Sequence, residues 1–315
     1  MSNFLVTGGA GFIGSHIVEE LSRNGARVRV LDNFSSGRKE NLGDLRGRIE
    51  LVRADIRSKE ACLKACRGID FVMHQAALRS VPKSMNDPKE YNEVNIGGTL
   101  NMLEAARRNK AKRFIFASSS SVYGETLSFP EKESFAPQPV SPYALSKLAG
   151  ENYCRVFSRH YGLPTVSLRY FNVFGPRQPL DDEYAVVVPK FINCMLKNIP
   201  PPVYGTGKQS RDFTFVANIV NANMLAVGNK ALKFGVFNIA SGRDYTVLEL
   251  AKMLNKFLGK DIRPVFLKKR PGDMFRSLAD LSESKKVLGY KPKISFAQGL
   301  KITLDYWKAK RLKNT

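Results

Sequence analysis

Short, continuously apolar runs alternate along the first half of the chain with longer stretches of helical spacing. Asn3-Phe4-Leu5-Val6 predicts a short buried strand, and 12–21 then carries apolar residues at the intervals of a helix. The alternation continues with strands at 26–31, 49–53, 71–75, 113–117 and 165–169, and with helices at 59–66, 88–108 and 142–161. Strand then helix, repeated, predicts an α/β fold: a doubly wound parallel sheet covered on both faces, with ligands at the carboxyl ends of the strands. After Arg169 the rhythm breaks. Pro176, Pro179, Pro189 and Pro200-Pro201-Pro202 mark a smaller, less regular lobe. Two later strand-like segments, 213–216 and 236–239, are expected to return to the main sheet. Residues 1–170, with 212–240 returning, make the expected first domain; 171–315 make most of the second, partly interleaved with it.

The turn between the first strand and helix is Thr7-Gly8-Gly9-Ala10-Gly11-Phe12-Ile13-Gly14. Glycines there permit a tight turn and a close approach of backbone to a pyrophosphate. The helix start adds amide donors and the positive end of its dipole. A bare glycine pattern arises often by chance, but this one follows a strand and opens a helix. The second strand ends at Asp32, whose carboxylate can accept both ribose hydroxyls and repels a 2′-phosphate, which favours NAD over NADP.

Ser141-Pro142-Tyr143-Ala144-Leu145-Ser146-Lys147 carries the most telling chemistry. Ser141 predicts an N-cap and Pro142 the first helical residue. Tyr143 and Lys147 lie four apart on one helix face, so the ammonium is expected near the phenol hydroxyl. A cation favours the phenolate and draws the tyrosine from a reference value near ~10 toward the range of a general base. On its own the same pair is an ordinary Tyr and Lys on a solvated helix; its weight comes from the other motifs.

Composition sets limits. With 315 residues, 43% of them hydrophobic, the chain can bury a full core and form two lobes. Lys and Arg number 50 against 28 acids, a net charge of +22 that suggests nucleic acid or a membrane surface as partner. The basic residues are spread along the chain, however, and no run matches a nucleic-acid-reading motif, so no nucleic-acid partner is expected. Cys62, Cys66, Cys154 and Cys194, with His16, His74 and His160, lack metal-ligand spacing. Two partly buried thiols at Cys62 and Cys66, and no metal, are expected. The sequence holds no signal-peptide pattern and no membrane-length apolar run, so a cytoplasmic location away from membranes is expected.

Together these residues resemble the extended short-chain dehydrogenase/reductase family, and within it the UDP-hexose 4-epimerases. The resemblance runs through essentially the whole chain. Its markers are TGGAGFIG at 7–14, Asp32-Asn33, Asp55-Ile56, AAL at 76–78, Asn95, SSSSVYG at 118–124, YALSK at 143–147, RYFNVFG at 169–175, GKQSRDF at 207–213 and RPGD at 270–273. It implies NAD held by Gly8, Gly11, Phe12, Ile13, Gly14, Asp32, Asn33, Ser36, Asp55, Ile56, Gln75, Ala76, Ala77, Asn95, Tyr143, Lys147 and Tyr170. It implies Tyr143, Lys147 and Ser119 as catalytic residues: Tyr143 takes the proton of the sugar 4-hydroxyl as hydride passes to the nicotinamide, and Ser119 hydrogen-bonds the reacting oxygen.

A UDP-sugar would be held by Arg79, Ser119, Tyr143, Asn172, Val186, Val187, Tyr204, Arg211, Arg270, Asp273 and Ser277. Guanidinium forks such as Arg211 and Arg270 match phosphate oxygens. A homodimer, formed by pairing helices 88–108 and 142–161 with their copies, is also implied. The similar 4,6-dehydratases carry an acidic pair immediately after the position of Ser119; Ser120 and Ser121 stand here, which argues against that reaction. An oxidoreductase or decarboxylase of the same fold reuses the tyrosine, lysine and serine and stays an alternative. Four residues after Asp273, members that accept N-acetylated sugars tend to have a small residue and those restricted to glucose and galactose a tyrosine. Ser277 there implies acceptance of both, while Arg79 and Val186 depart from the glycine and alanine of the most N-acetyl-selective members.

Overall fold

The computed structural model describes every residue except 46, 181–186, 269–273 and 313–315. The chain begins with β1 (Asn3–Thr7), α1 (Phe12–Arg23), β2 (Arg27–Asp32), β3 (Ile49–Arg53), α2 (Lys59–Ala65), β4 (Phe71–His74), α3 (Val81–Asn86) and α4 (Pro88–Tyr91). It continues with α5 (Gly98–Arg108), β5 (Arg113–Ser119), α6 (Pro142–Tyr161), β6 (Thr165–Tyr170), β7 (Val173–Phe174), α7 (Val187–Leu196), β8 (Pro202–Tyr204), β9 (Ser210–Arg211) and β10 (Thr214–Phe215). Last come α8 (Val216–Gly228), β11 (Phe234–Ile239), β12 (Tyr245–Thr246), α9 (Val247–Leu258), β13 (Val265–Leu267), α10 (Ser282–Leu288) and α11 (Phe296–Leu312).

Seven strands form one parallel sheet in the order β11-β6-β5-β4-β1-β2-β3. The order reverses between β1 and β4, so the adjoining connections leave on opposite faces and a crevice opens at their carboxyl ends. Successive residues of a strand face opposite sides, and Leu5 and Val6 accordingly enter different cores. Val6, Ile17, Val18, Val30 and Ile219 pack beneath α1 and α8. Leu5, Leu31, Met102, Leu103, Phe114 and Phe116 pack beneath α2, α5 and α6. Each such aliphatic side chain stabilises the fold by about 1.5–3 kcal/mol when fully buried. A third core around Phe174, Phe213, Phe215 and Phe296 belongs to the smaller lobe.

Helix α6 begins as its sequence predicts. Ser141 Oγ accepts a 3.1 Å bond from the Ala144 amide and Pro142 is the first helical residue. Further along, a Cβ on Gly150 would stand 2.3 Å from Cζ of Phe116. A mid-helix glycine costs about 1 kcal/mol relative to alanine; here it lets α6 lie directly on β5, which sets the height of Tyr143 and Lys147 above the sheet.

The expected strands fall within two residues of the observed ones, and 236–239 does join the main sheet, as part of β11. The segment 213–216 does not. Thr214 and Phe215 pair with Val173 and Phe174 in a separate two-stranded sheet, because both phenylalanines are drawn into the third core. The expected helix 88–108 is interrupted by a π-helical segment, Asn92–Gly97, between α4 and α5. Cys62 and Cys66 are wholly rather than partly buried, and desolvation pushes both thiols up to about 12. Among the described residues no group of side chains is arranged to hold a metal, and no helix is long and apolar enough to cross a membrane.

Candidate active site

A cleft of about 240 Å³ opens at the carboxyl ends of the strands. Its walls come from the turns after β1, β2, β3 and β4, the end of β5, the start of α6 and the end of β6. Gly8, Gly11, Phe12, Ile13, Gly14, Asp32, Asn33, Ser36, Asp55, Ile56, Gln75, Ala76, Ala77, Arg79, Tyr143, Lys147 and Tyr170 all line it. Asn95 does not. It is 2% exposed, behind the wall, where its amide holds both backbone groups of Leu78 and the hydroxyl of Ser146.

The residues present fit a dinucleotide. Gly8 has φ of 65°, and a Cβ on it would meet the Ala76 amide nitrogen at 2.8 Å; one on Gly14 would meet the Gly8 carbonyl oxygen at 2.2 Å. The N-cap of α1 is Gly11, without a side-chain acceptor, and its first turn has no acid. Helices α2, α3, α6 and α9 are instead capped by Ser58, Ser80, Ser141 and Thr246. Only α1 of this group therefore leaves its first amides and dipole to an anion such as a diphosphate. Asp32 accepts from the Ala10 amide at 2.9 Å and the Phe34 amide at 2.8 Å, and each carboxylate oxygen keeps acceptor capacity for a ribose hydroxyl. Burial raises the Asp32 carboxyl above its ordinary value, while the two amides pull it back. Asp55 is drawn down to about 2, chiefly by the fork of Arg57 at 2.8 and 3.0 Å.

At the other end of the cleft stands Tyr143. Desolvation raises its phenol above the ordinary value; a hydrogen bond with Ser119 and the charge of Arg79 oppose this. Lys147 does not act as expected. Its ammonium donates to the Ala117 carbonyl at 2.8 Å and lies over the ring of Tyr143, 6.0 Å from the centroid, not against the hydroxyl. Sharing a helix face brought the two side chains together, but a strand carbonyl captured the charge. Lys147 is 5% exposed, and desolvation lowers it to about 8. Ser119 is bonded to Tyr143 and to the Ser121 hydroxyl, 2.9 Å away, while the neighbouring Ser118 lines the cleft and donates to Glu151 at 2.5 Å.

Most residues implied for the substrate stand apart from this cleft. Asn172 donates to Ser277 Oγ at 3.3 Å, and Ser277, 0% exposed, exchanges backbone bonds with Ser210 and Asp212. Arg211, adjacent on β9, donates to the Ser210 carbonyl. Val187 starts α7 and packs on the third core, and Tyr204 ends β8. Val186, Arg270 and Asp273 lie outside the described residues. Sequence reasoning missed Arg57, although its place two after Asp55 was a usable signal, and it missed Glu131. Glu131 is 1% exposed and its Oε2 has no hydrogen-bond partner among the described residues. Burial, then the neighbouring Asp212, pushes its carboxyl up to about 8. Asp212, which accepts from the Ser241 and Gly242 amides at 2.8 and 3.0 Å, is itself pushed up to about 6 by burial.

The NAD dependent epimerase/dehydratase family matches residues 4–240. A putative UDP-glucose 4-epimerase of Methanocaldococcus jannaschii is 39% identical over 306 residues, covering 96% of this chain and 98% of the relative. Among solved structures, the UDP-N-acetylglucosamine 4-epimerase of Methanobrevibacter ruminantium M1, in complex with UDP-N-acetylmuramic acid, matches with a TM-score of 0.94 and 41% identity, covering 98% of this chain and 99% of that one. The UDP-glucuronic acid 4-epimerase of Bacillus cereus, in complex with UDP-glucuronic acid and NAD, matches with a TM-score of 0.90 and 35% identity, covering 98% and 99%.

Glu131 yields a stability test. Its folded value lies above the ordinary carboxylate value, so the fold favours the protonated form. Stability is then undiminished below about pH 4 and falls as pH rises toward about 8, where the buried group ionises. Glu131→Gln, neutral and similar in shape, is expected to raise Tm at pH 8.5 and to change it little at pH 5. Equal effects at the two pH values would show that no buried proton is held there.

Proposed function

The chain belongs to the NAD dependent epimerase/dehydratase family, and we propose that it inverts C4 of a UDP-hexose, interconverting UDP-glucose with UDP-galactose and the N-acetylated pair likewise. One observation carries this reading: Tyr143 lines the cleft with Ser119 on its hydroxyl and the Lys147 ammonium over its ring. Bound NAD supplies a hydride acceptor and donor, so the sugar passes through a 4-ketone and is reduced on its other face. The chain does the rest. Tyr143 removes the 4-hydroxyl proton and returns it, acting as base and then acid. Ser119 orients the reacting oxygen. Lys147, fixed by the Ala117 carbonyl, keeps the phenol in place and contributes positive charge below about pH 8. Asp32 and the first turn of α1 hold the ribose and diphosphate of the cofactor.

Asn172 and Arg211, with Arg270 and Asp273, are assigned to the UDP portion, Arg79 and Val186 to the sugar end, and Val187 and Tyr204 to the UDP-sugar as a whole. The serine at 277 supports acceptance of N-acetylated sugars, since it is small and touches Asn172, itself assigned to the substrate. Ser120 and Ser121 hold no carboxyl, which disfavours a dehydratase. We also propose a homodimer through α6 and the helical segment before β5. Leu145 and Val156 remain 54% and 41% exposed on α6, which supports an apolar contact between subunits.

Purified protein given UDP-galactose and no added NAD is expected to form UDP-glucose in a coupled assay. Tyr143→Phe should lower kcat by about 10²–10⁴-fold with KM little changed. Net oxidation or release of carbon dioxide, without epimerisation, would favour the oxidoreductase or decarboxylase reading. Ser277→Tyr should remove turnover of UDP-N-acetylgalactosamine and spare UDP-galactose, the second substrate checking that Asn172 and the fold survive. Loss of both activities, or of neither, contradicts the assignment of Ser277.

A further inference from the structure

A line of buried polar groups crosses the molecule behind the cleft, and the mechanism above uses none of its central members. His74, the last residue of β4, is 1% exposed between two threonines: Thr7 at the end of β1, 0% exposed, and Thr99 in α5, 1% exposed. His74 Nδ1 lies 2.8 Å from Thr7 Oγ1, and Nε2 lies 3.0 Å from Thr99 Oγ1. Thr99 donates its one hydroxyl proton to the Asn95 carbonyl at 2.5 Å, and the Ala76 amide donates to Thr7 Oγ1 at 3.2 Å.

Proton counting gives this line a direction. A carbonyl only accepts, so the Thr99 hydroxyl proton is committed to Asn95. Thr99 Oγ1 must then accept from the imidazole, which places a proton on Nε2. The rings of Phe114 and Phe116 pack against His74, with centroids 5.4 and 6.1 Å away, and the charged group facing it is the Lys147 ammonium on α6. Burial, then that charge, lowers His74 to about 3, so the ring is neutral and Nδ1 bears no proton. Thr7 therefore donates to Nδ1 and accepts from Ala76. Each bond then has one direction, and reversing any of them would leave a buried donor or acceptor unpaired.

The two ends of the line are the two halves of the cleft. Thr7 precedes Gly8, and Ala76 is the backbone against which Gly8 packs. Asn95 lies in the π-helical segment, and its side chain grips Leu78 and Ser146; Ser146 in turn donates to the carbonyl of Tyr143 at 2.7 Å. π-helical turns are rare within helices and are frequently found at functional sites. We propose that His74, as the neutral tautomer protonated on Nε2, is a positioning residue that locks the glycine-rich turn to the support of Tyr143 and so fixes the separation between cofactor and base. This role rests on the reading of Tyr143 as the base.

Two measurements on the NAD-loaded protein judge it. With 15N-labelled histidine, NMR should show His74 bare at Nδ1 and protonated at Nε2 across about pH 5 to about pH 9. A proton on Nδ1, or titration near the ordinary value of ~6.5, overturns the proposal. In kinetics, His74→Leu should lower kcat per bound NAD about ten- to a hundredfold, the scale of a misplaced catalytic group, with KM for UDP-galactose unchanged. His74→Gln, which carries an acceptor and a donor, should recover most of that loss. Thr99→Val, nearly isosteric, cuts the line at its other end and should match the leucine variant, which covers the case that His74→Leu fails to fold. Variants that lose only thermal stability and keep wild-type kcat per bound NAD also overturn it. A wild-type protein inert toward every UDP-sugar would sink the epimerase reading instead, and the NMR result would still decide the tautomer.

Discussion

Desolvation at one spot governs the chemistry of this protein. Tyr143 and Lys147 are carried by a helix that Gly150 allows to rest on Phe116, and the resulting lack of water works against both charged forms. It raises the phenol and lowers the ammonium to about 8. Nothing the chain places at the hydroxyl fully offsets that burden: Ser119 contributes a hydrogen bond and Arg79 a charge, while the Lys147 ammonium donates to the Ala117 carbonyl. On the proposed reading of Tyr143 as the base, it is held back until a further positive charge arrives beside it. The positively charged ring of oxidised NAD has that property, and a neutral reduced ring does not. On that reading, activation of the tyrosine is coupled to the redox state in which a proton must be removed.

The sheet makes this arrangement possible. Because the strand order reverses between β1 and β4, turns from both halves converge on one crevice, one half supplying a bare helix N-terminus and Asp32, the other supplying Tyr143. The smaller lobe is stitched across that crevice rather than hung from its edge. His16 bonds the Pro176 carbonyl at 3.0 Å, and Arg177 pairs with Glu19 at 2.6 Å, so the turn after β7 is tied to α1. Asn172 and Ser277, in contact with each other, extend the same framework on the far side.

Much of this was legible in the sequence because periodicity and caps are local. The strands, the glycine-rich turn and the Ser141 cap follow from neighbours within a few positions, whereas most of the residues lining the cleft were implied only by the resemblance to the family. What was not legible depends on distant partners. The pairing of Phe215 with Phe174 is decided by the third core, not by the propensity of a two-residue strand. The π-helical segment at Asn92–Gly97 has no compositional mark, and with it goes the placement of Asn95 behind the wall. The direction of the Lys147 ammonium needed a strand carbonyl thirty residues away in sequence. The burial of Glu131 and Ser277 arises where the 131 and 279 segments bridge, which no window of sequence contains.

The most direct test of the account is an ultraviolet titration of Tyr143, taken as the difference between wild type and Tyr143→Phe, with NAD stripped and with NAD bound. The account predicts a phenol above the ordinary value of ~10 in the stripped protein and a fall from there when oxidised NAD is bound. A phenol already ionising near neutrality without the cofactor, or one that does not respond to it, would contradict the claim that burial restrains the base and the cofactor releases it.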